Sequence, residues 1–163
     1  MLKAVRLWAI QRCIYSVSAG YFGGITLAVM VAKICQEFPD LYPSCTLYKF
    51  FETYSESRWL EPVQMSLTNK YKSAKGGSLR MHLIEAVNRY SSDAMVVLTP
   101  NDQLQNTSYR VSEHNFRIIC KELSDGLKVL QRIKPSSRVL FKKPTHLEEQ
   151  ENYDPDNLAG TVD

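Results

Sequence analysis

Apolar side chains recur every three to four residues along most of this chain, the spacing that lines one face of an α-helix. Between Leu2 and Arg12, Leu2, Val5, Trp8 and Ala9 form one stripe, and Lys3, Arg6 and Arg12 lie off it. The pattern repeats from Ile25 to Phe38 with Leu27, Val31, Ile34 and Phe38, and Pro39 stops it. A third helix is predicted from about Ser44 to Ser55 with Leu47, Phe50, Phe51 and Tyr54 facing inward. A shorter one follows from Leu79 to Tyr90, with Leu83, Ile84 and Val87 as its apolar side. Ala94 to Leu98 reads as a short β-like run closed by Thr99 and Pro100. Ser112 is placed to cap a last, long helix, along which Phe116, Ile119, Cys120, Leu123, Leu127, Leu130 and Ile133 recur until Pro135.

These stripes predict a mainly α fold, a helical bundle over residues 1–135 with one short β-like segment. Asn69 to Ser78, NKYKSAKGGS, reads as a polar, lysine-rich loop. From Lys142 the periodicity is lost, and residues 136–163 are expected to be a disordered acidic tail or the truncated entry to a further domain. A chain of 163 residues, 44% hydrophobic and 23% charged, fits one soluble globular domain. Residues 1–143 hold all 20 Lys and Arg against 11 acids, a net charge of +9, whereas residues 144–163 hold six acids and no Lys or Arg. The folded part should prefer anionic partners such as a nucleic acid or a triphosphate.

Cys13, Cys35, Cys45 and Cys120 have no CxxC spacing and lie among apolar neighbours, so they read as buried free thiols, with no metal and no disulfide-linked partner. His82, His114 and His146 are scattered, without ligand spacing, and are expected to be structural or exposed. The uncharged run from Cys13 to Ala32 is long enough to cross a bilayer, but its glycines, tyrosines and hydroxyl residues divide it into a loop and a helix. No membrane role is expected.

The richest candidate chemistry lies in RLWAIQRCIYSVSAGYFGGI, from Arg6 to Ile25. Arg6 is a cation suited to a phosphate, and Tyr15 adds a hydroxyl and a ring face. Gly23 and Gly24 let a backbone come close to a ligand just before a helix begins. The glycine pair matches neither GxGxxG nor GxxxxGK[ST].

From this segment onward the chain resembles the central domain of eukaryotic nuclear poly(A) polymerases. The resemblance is collinear over roughly four fifths of the chain. It runs through Leu7 to Ala9, Ile14 to Ser16, Gly23-Gly24, the helix Ile25 to Phe38, and Lys49-Phe50-Phe51 to Arg58-Trp59. It continues through Glu61-Pro62-Val63, Leu98-Thr99-Pro100, Asn106 to Ser112 and the last helix. It implies a helical bundle of the poly(A) polymerase central-domain type, a nuclear protein, and a nucleotide half-site for ATP in template-independent addition of adenylate to RNA 3′ ends. In that family a lysine nine residues before the tyrosine reaches the triphosphate, and here the position is Arg6. Tyr15 matches the tyrosine beside phosphates and sugar, and Gly24 and Ile25 match a Gly-Val pair lining the nucleotide.

The family's catalytic domain carries a Gly-Ser loop and paired aspartates that hold Mg or Mn. No Gly-Ser loop followed by an Asp-x-Asp occurs here. Asp154 and Asp156 share the Asp-x-Asp spacing, but they flank Pro155 in a polar tail. This chain alone is expected to be inactive and to depend on a nucleotidyltransferase domain upstream in cis or supplied in trans. Ser137 to Phe141 resembles the entry to the family's RRM-like RNA-binding domain. The family's adenine-reading asparagine is replaced by Val17, which offers the base no hydrogen bond. Two alternatives stay open: a non-catalytic helical interaction module, and a piece of a terminal uridylyltransferase.

Overall fold

The computed structural model describes residues 1–56, 59, 61–65, 78–101 and 103–133. Its helices are α1 (Leu2–Gln11), α2 (Gly24–Glu37), α3 (Pro43–Glu56), α4 (Ser78–Arg89) and α5 (Glu113–Arg132), each beginning and ending within one residue of the bounds expected from periodicity. The chain is mainly helical, as the stripes require. Most of the lysine-rich loop, Arg58 and everything from Lys134 lie outside the described residues.

Helix α1 ends in a Schellman motif built without glycine. The Cys13 amide donates to Ile10 O at 3.0 Å, and the Ile14 amide donates to Ala9 O at 2.9 Å. Cys13, at the left-handed position, has φ 56°. Only the backbone reversal needs that conformation, and a Cβ there is strained. The motif turns Ile14 into the core beside Ala9, and both are fully buried. It also points Cys13 into solvent, which corrects the expectation of four buried thiols. Cys35 is exposed as well, because it faces away from the buried side of α2, whereas Cys45 is buried and Cys120 half-buried. Burial, with Glu113 adding, pushes the Cys120 thiol pKa up. No disulfide joins the four.

Helix α2 runs through the centre of the bundle. It buries Thr26, Leu27, Val29, Met30, Val31 and Ile34, a wider arc than the four-residue stripe read from sequence. Both α1 and α3 pack on it, and α3 makes its most extensive contact with α5. Aromatic rings carry the packing outward from there. Trp8 meets Phe51 edge-on at 4.8 Å, Phe50 contacts both Phe51 and Tyr54, and Tyr54 stacks on Trp59 at 5.5 Å. The Tyr54 hydroxyl donates to Met30 O at 2.9 Å and ties α3 to α2. Its pKa is raised by burial and, to a lesser degree, by Glu37. Facing Phe51 on α5 is Gly126, where a Cβ would lie 2.5 Å from the ring, so the absence of a side chain sets how closely these helices approach.

The β-like run pairs more widely than its length suggests. Val63 bridges Val97 in parallel, and Leu98 bridges Asn106 antiparallel. Asn106 organises this region: its Oδ1 accepts from the Val97 and Ser108 amides and the Ser108 hydroxyl, and its Nδ2 donates to Asp93 and Met95 O. Helix α4 keeps only part of its expected face: Leu83 packs inward as expected, and the other two do not. Ala86 is buried with Leu98 and Leu104, while Ile84 is 52% and Val87 40% exposed. The small cluster beneath α4 is reached through Leu83 and through Ala86, a residue that a stripe of large side chains does not reveal. Ser112 caps α5 as expected, its hydroxyl accepting from the Asn115 amide at 3.2 Å. Ile133, read as the last residue of the α5 stripe, lies beyond the helix and is exposed.

Candidate functional site

Arg6 and Tyr15, nine residues apart, are brought together by the reversal at Cys13. Arg6 is exposed on α1, and its guanidinium carbon lies 5.2 Å from the centre of the half-buried Tyr15 ring. The Tyr15 hydroxyl in turn reaches the start of α2, where a Cβ on Gly24 would stand 3.3 Å from it. Glycine there leaves room beside the hydroxyl. Gly23 is the N-cap residue, in extended backbone, and no side chain caps the first turn of α2, which also contains no acid. The leading amides of α2 therefore present their partial positive charge beside a cation and a hydroxyl, an arrangement suited to an anion. Ile25 is 64% exposed at the rim. Val17 packs so closely on Gly23 that a Cβ there would meet its methyl at 2.7 Å.

Of the four residues singled out from sequence, Arg6, Tyr15 and Gly24 are brought together, and Ile25 follows Gly24 on α2 with its side chain exposed. Two further cations, Arg12 and Lys49, are held by carboxylates. Arg12 points towards α5, with Nε 3.7 Å from Glu122 Oε2, and Lys49 pairs with Glu52 over the Phe38 ring. Glu122 lies on another helix and Glu52 one turn from Lys49, and the lysine-rich loop from 69 to 77 lies outside the described residues.

Three residues that support the cluster carry no motif of their own. Thr26 donates to Thr107 O at 3.2 Å, fixing the first turn of α2 to the loop before α5. Asn115 donates to Ala19 O at 2.9 Å and Gly20 O at 3.1 Å, holding the other end of the Tyr15–Gly23 loop. Gly20 has φ 75°, and a Cβ on it would collide with Arg110 O and the Asn115 side chain. Its position before an aromatic-glycine stretch is the one signal in the sequence that this loop needed an unusual backbone.

An apolar groove of about 180 Å³ lies apart from this cluster, between Ala4 and Trp8 of α1, Phe51 of α3, and Gly126, Val129 and Leu130 of α5. Trp8 Nε1 is buried beside it without a hydrogen-bond partner. Among the described residues no three His, Cys, Asp or Glu side chains lie together as a metal site. Among them, too, no helix is long and apolar enough to cross a membrane.

The poly(A) polymerase central domain family model matches residues 1–143, which include every element described above. The chain belongs to that family. Among curated relatives, nuclear poly(A) polymerase 4 of Arabidopsis thaliana is 28% identical over 162 residues, covering 93% of this chain and 20% of the relative. Poly(A) polymerase of Dictyostelium discoideum is 30% identical, covering 81% of this chain and 16% of its own length. Poly(A) polymerase PAPalpha of Candida albicans is 31% identical, with 87% and 25% covered. The chain spans about a fifth of the length of these relatives. The relatives are polymerases by name, which sets the family-level class as nucleotidyltransferase.

Proposed function

We propose that this central domain is the nucleotide- and RNA-contacting part of a poly(A) polymerase, and that Arg6, Tyr15, Gly24 and Ile25 form its half of an ATP site. The observation that carries the reading is the convergence of the Arg6 guanidinium, the Tyr15 hydroxyl and the uncapped first turn of α2 on one exposed surface. In it Arg6 holds the triphosphate, Tyr15 donates beside phosphate and sugar, and Gly24 lets the ligand approach the helix start while Ile25 packs on the nucleotide. Arginine offers a broader, forked donor set than lysine at the phosphate.

A separate nucleotidyltransferase domain, in cis or in trans, supplies the carboxylates. The Mg or Mn they hold would stabilise charge at the α-phosphate. The contribution of this chain is to bind and orient ATP, which lowers the cost of bringing it to an RNA 3′ end. Exposed Leu7 and Ile10 on α1 and Ile25 on α2 supply apolar surface for that second domain to cover. The relatives named nuclear polymerases support a nuclear protein. Val17 favours one variation, weak discrimination between adenine and uracil, because its methyl groups rest on Gly23 and offer no hydrogen bond.

The test is an ATP titration by calorimetry at two salt concentrations on the wild type, Arg6→Ala, Tyr15→Ala and Lys121→Ala. Loss of a hydrogen bond to a charged phosphate should weaken binding about tenfold or more for Arg6→Ala and Tyr15→Ala. Lys121, exposed on α5, should matter only through net charge. Equal losses in all three variants would mean that the cluster is not a nucleotide site.

A further inference from the structure

Tyr109 and Arg110 form a second aromatic–cation pair, on the loop that packs against the nucleotide cluster. Tyr109 is 60% exposed, the one aromatic among the large apolar side chains that the described residues expose. The Arg110 guanidinium carbon lies 5.6 Å from its ring centre, and Arg110 Nε donates to the Tyr109 hydroxyl at 3.2 Å. The backbone beneath the pair is held on every side. Thr26 binds Thr107 O, Ser108 is buried and its hydroxyl binds Met95 O, Val111 donates to Ser108 O, and Arg110 O rests against Gly20. Those contacts cannot serve to bury the ring, which stays in solvent. They hold the backbone beneath it in place, with a cation beside the exposed ring.

We propose that Tyr109 and Arg110 are a contact for single-stranded RNA, the ring stacking on one base and the guanidinium pairing with an adjacent phosphate. Stacking on an exposed ring accepts any base, because every base has a π-face, and Arg next to the ring adds a phosphate contact. The net charge of +9 over residues 1–143 favours a polyanion over a neutral protein partner. Gly20 and Thr26 connect this loop to Tyr15 and Gly24, so a strand held at Tyr109 runs beside the bound nucleotide. The inference rests on the polymerase reading above and adds the residues that take the strand.

The experiment uses the full chain, fluorescence anisotropy with labelled r(A)12, and a parallel ATP titration. Wild-type affinity for the strand should fall in the range of about 10⁻⁴ to 10⁻⁶ M typical of nonspecific binding. Tyr109→Ala should weaken RNA binding about fivefold or more, and Tyr109→Phe, which keeps the ring, should stay within about twofold of wild type. Arg110→Ala should flatten the dependence of log affinity on log salt by about 0.7, and Arg110→Lys should restore it. ATP affinity should be unchanged in all four. Should Tyr109→Ala melt early, Tyr109→Leu keeps the bulk without the aromatic face and carries the same expectation. Wild-type RNA affinity in Tyr109→Ala or Tyr109→Leu would overturn the proposal and leave the pair to a protein partner. A parallel fall in ATP affinity would overturn it too, assigning Tyr109 to the nucleotide cluster. Failure of Arg6→Ala to weaken ATP would instead sink the nucleotide reading and leave the Tyr109 result standing.

Discussion

Gly126→Ala should destabilise the bundle even though it should favour the helix. Gly126 lies within α5, where alanine is intrinsically better by about 1 kcal/mol. Against that gain, the new methyl would meet Phe51 Cε1 at 2.5 Å and Cδ1 at 2.7 Å. Both are ring atoms, and the ring is held by the Trp8 edge at 4.8 Å and by Phe50 at 5.4 Å. Forcing an extra carbon into such a contact costs about 1–3 kcal/mol. The net loss is therefore about 1 kcal/mol, or about 4 °C in melting temperature for a domain of this size. Thermal and urea unfolding followed by circular dichroism would measure it. Phe51→Leu removes the colliding ring, so Gly126→Ala should cost at least about 1 kcal/mol less in that background than in the wild type. A Gly126→Ala variant more stable than the wild type, or one whose effect simply adds to that of Phe51→Leu, would refute the idea that this glycine sets the α3–α5 approach.

Cys13→Gly should stabilise by about 0.5–1 kcal/mol, since relief of the left-handed strain at φ 56° exceeds the entropy cost of glycine, and a melting curve checks it. Asn106→Ala should cost about 2–4 kcal/mol in urea unfolding, because the Val97 and Ser108 amides lose a shared buried acceptor. The raised pKa of Tyr54 means its buried neutral form stabilises the fold fully below the ordinary tyrosine value of 10.0, and that stabilisation is lost as pH rises above it. Tyr54→Phe should therefore cost about 1 kcal/mol at pH 7 through the lost bond to Met30 O, yet decline less than the wild type between pH 9 and about 11. Val17→Asn should raise the preference for ATP over UTP in paired titrations, since it restores a hydrogen-bonding side chain beside Gly23.

The helices were legible in the sequence because burial in a bundle is enforced by period, and the stops at Pro39 and the cap at Ser112 added their own chemistry. What period cannot show is which small residue faces a core. Ala86 carries the buried face of α4 while Ile84 and Val87 stay out, and Gly126 is silent until the Phe51 ring is placed against it. The exposure of Cys13 was likewise hidden, because it follows from a helix-ending motif that sequence normally announces with glycine. At the site, Arg6, Tyr15, Gly24 and Ile25 could be named from the family resemblance. Their supports could not, because Thr26, Asn115 and Gly20 act across separations of 81 and 95 residues through backbone carbonyls. Ion pairs were silent for a related reason: charge along a chain does not say that Glu122 and Glu52 would take up Arg12 and Lys49.

The most direct test of the central claim is an amide chemical-shift titration of the isotopically labelled chain with ATP. Binding at the proposed half-site should move the Tyr15, Gly23, Gly24 and Ile25 amides in one saturable process, and Arg6→Ala should abolish the saturation. Shifts confined instead to the apolar groove around Trp8, Gly126 and Leu130, or spread over α5 in proportion to ionic strength, would contradict it.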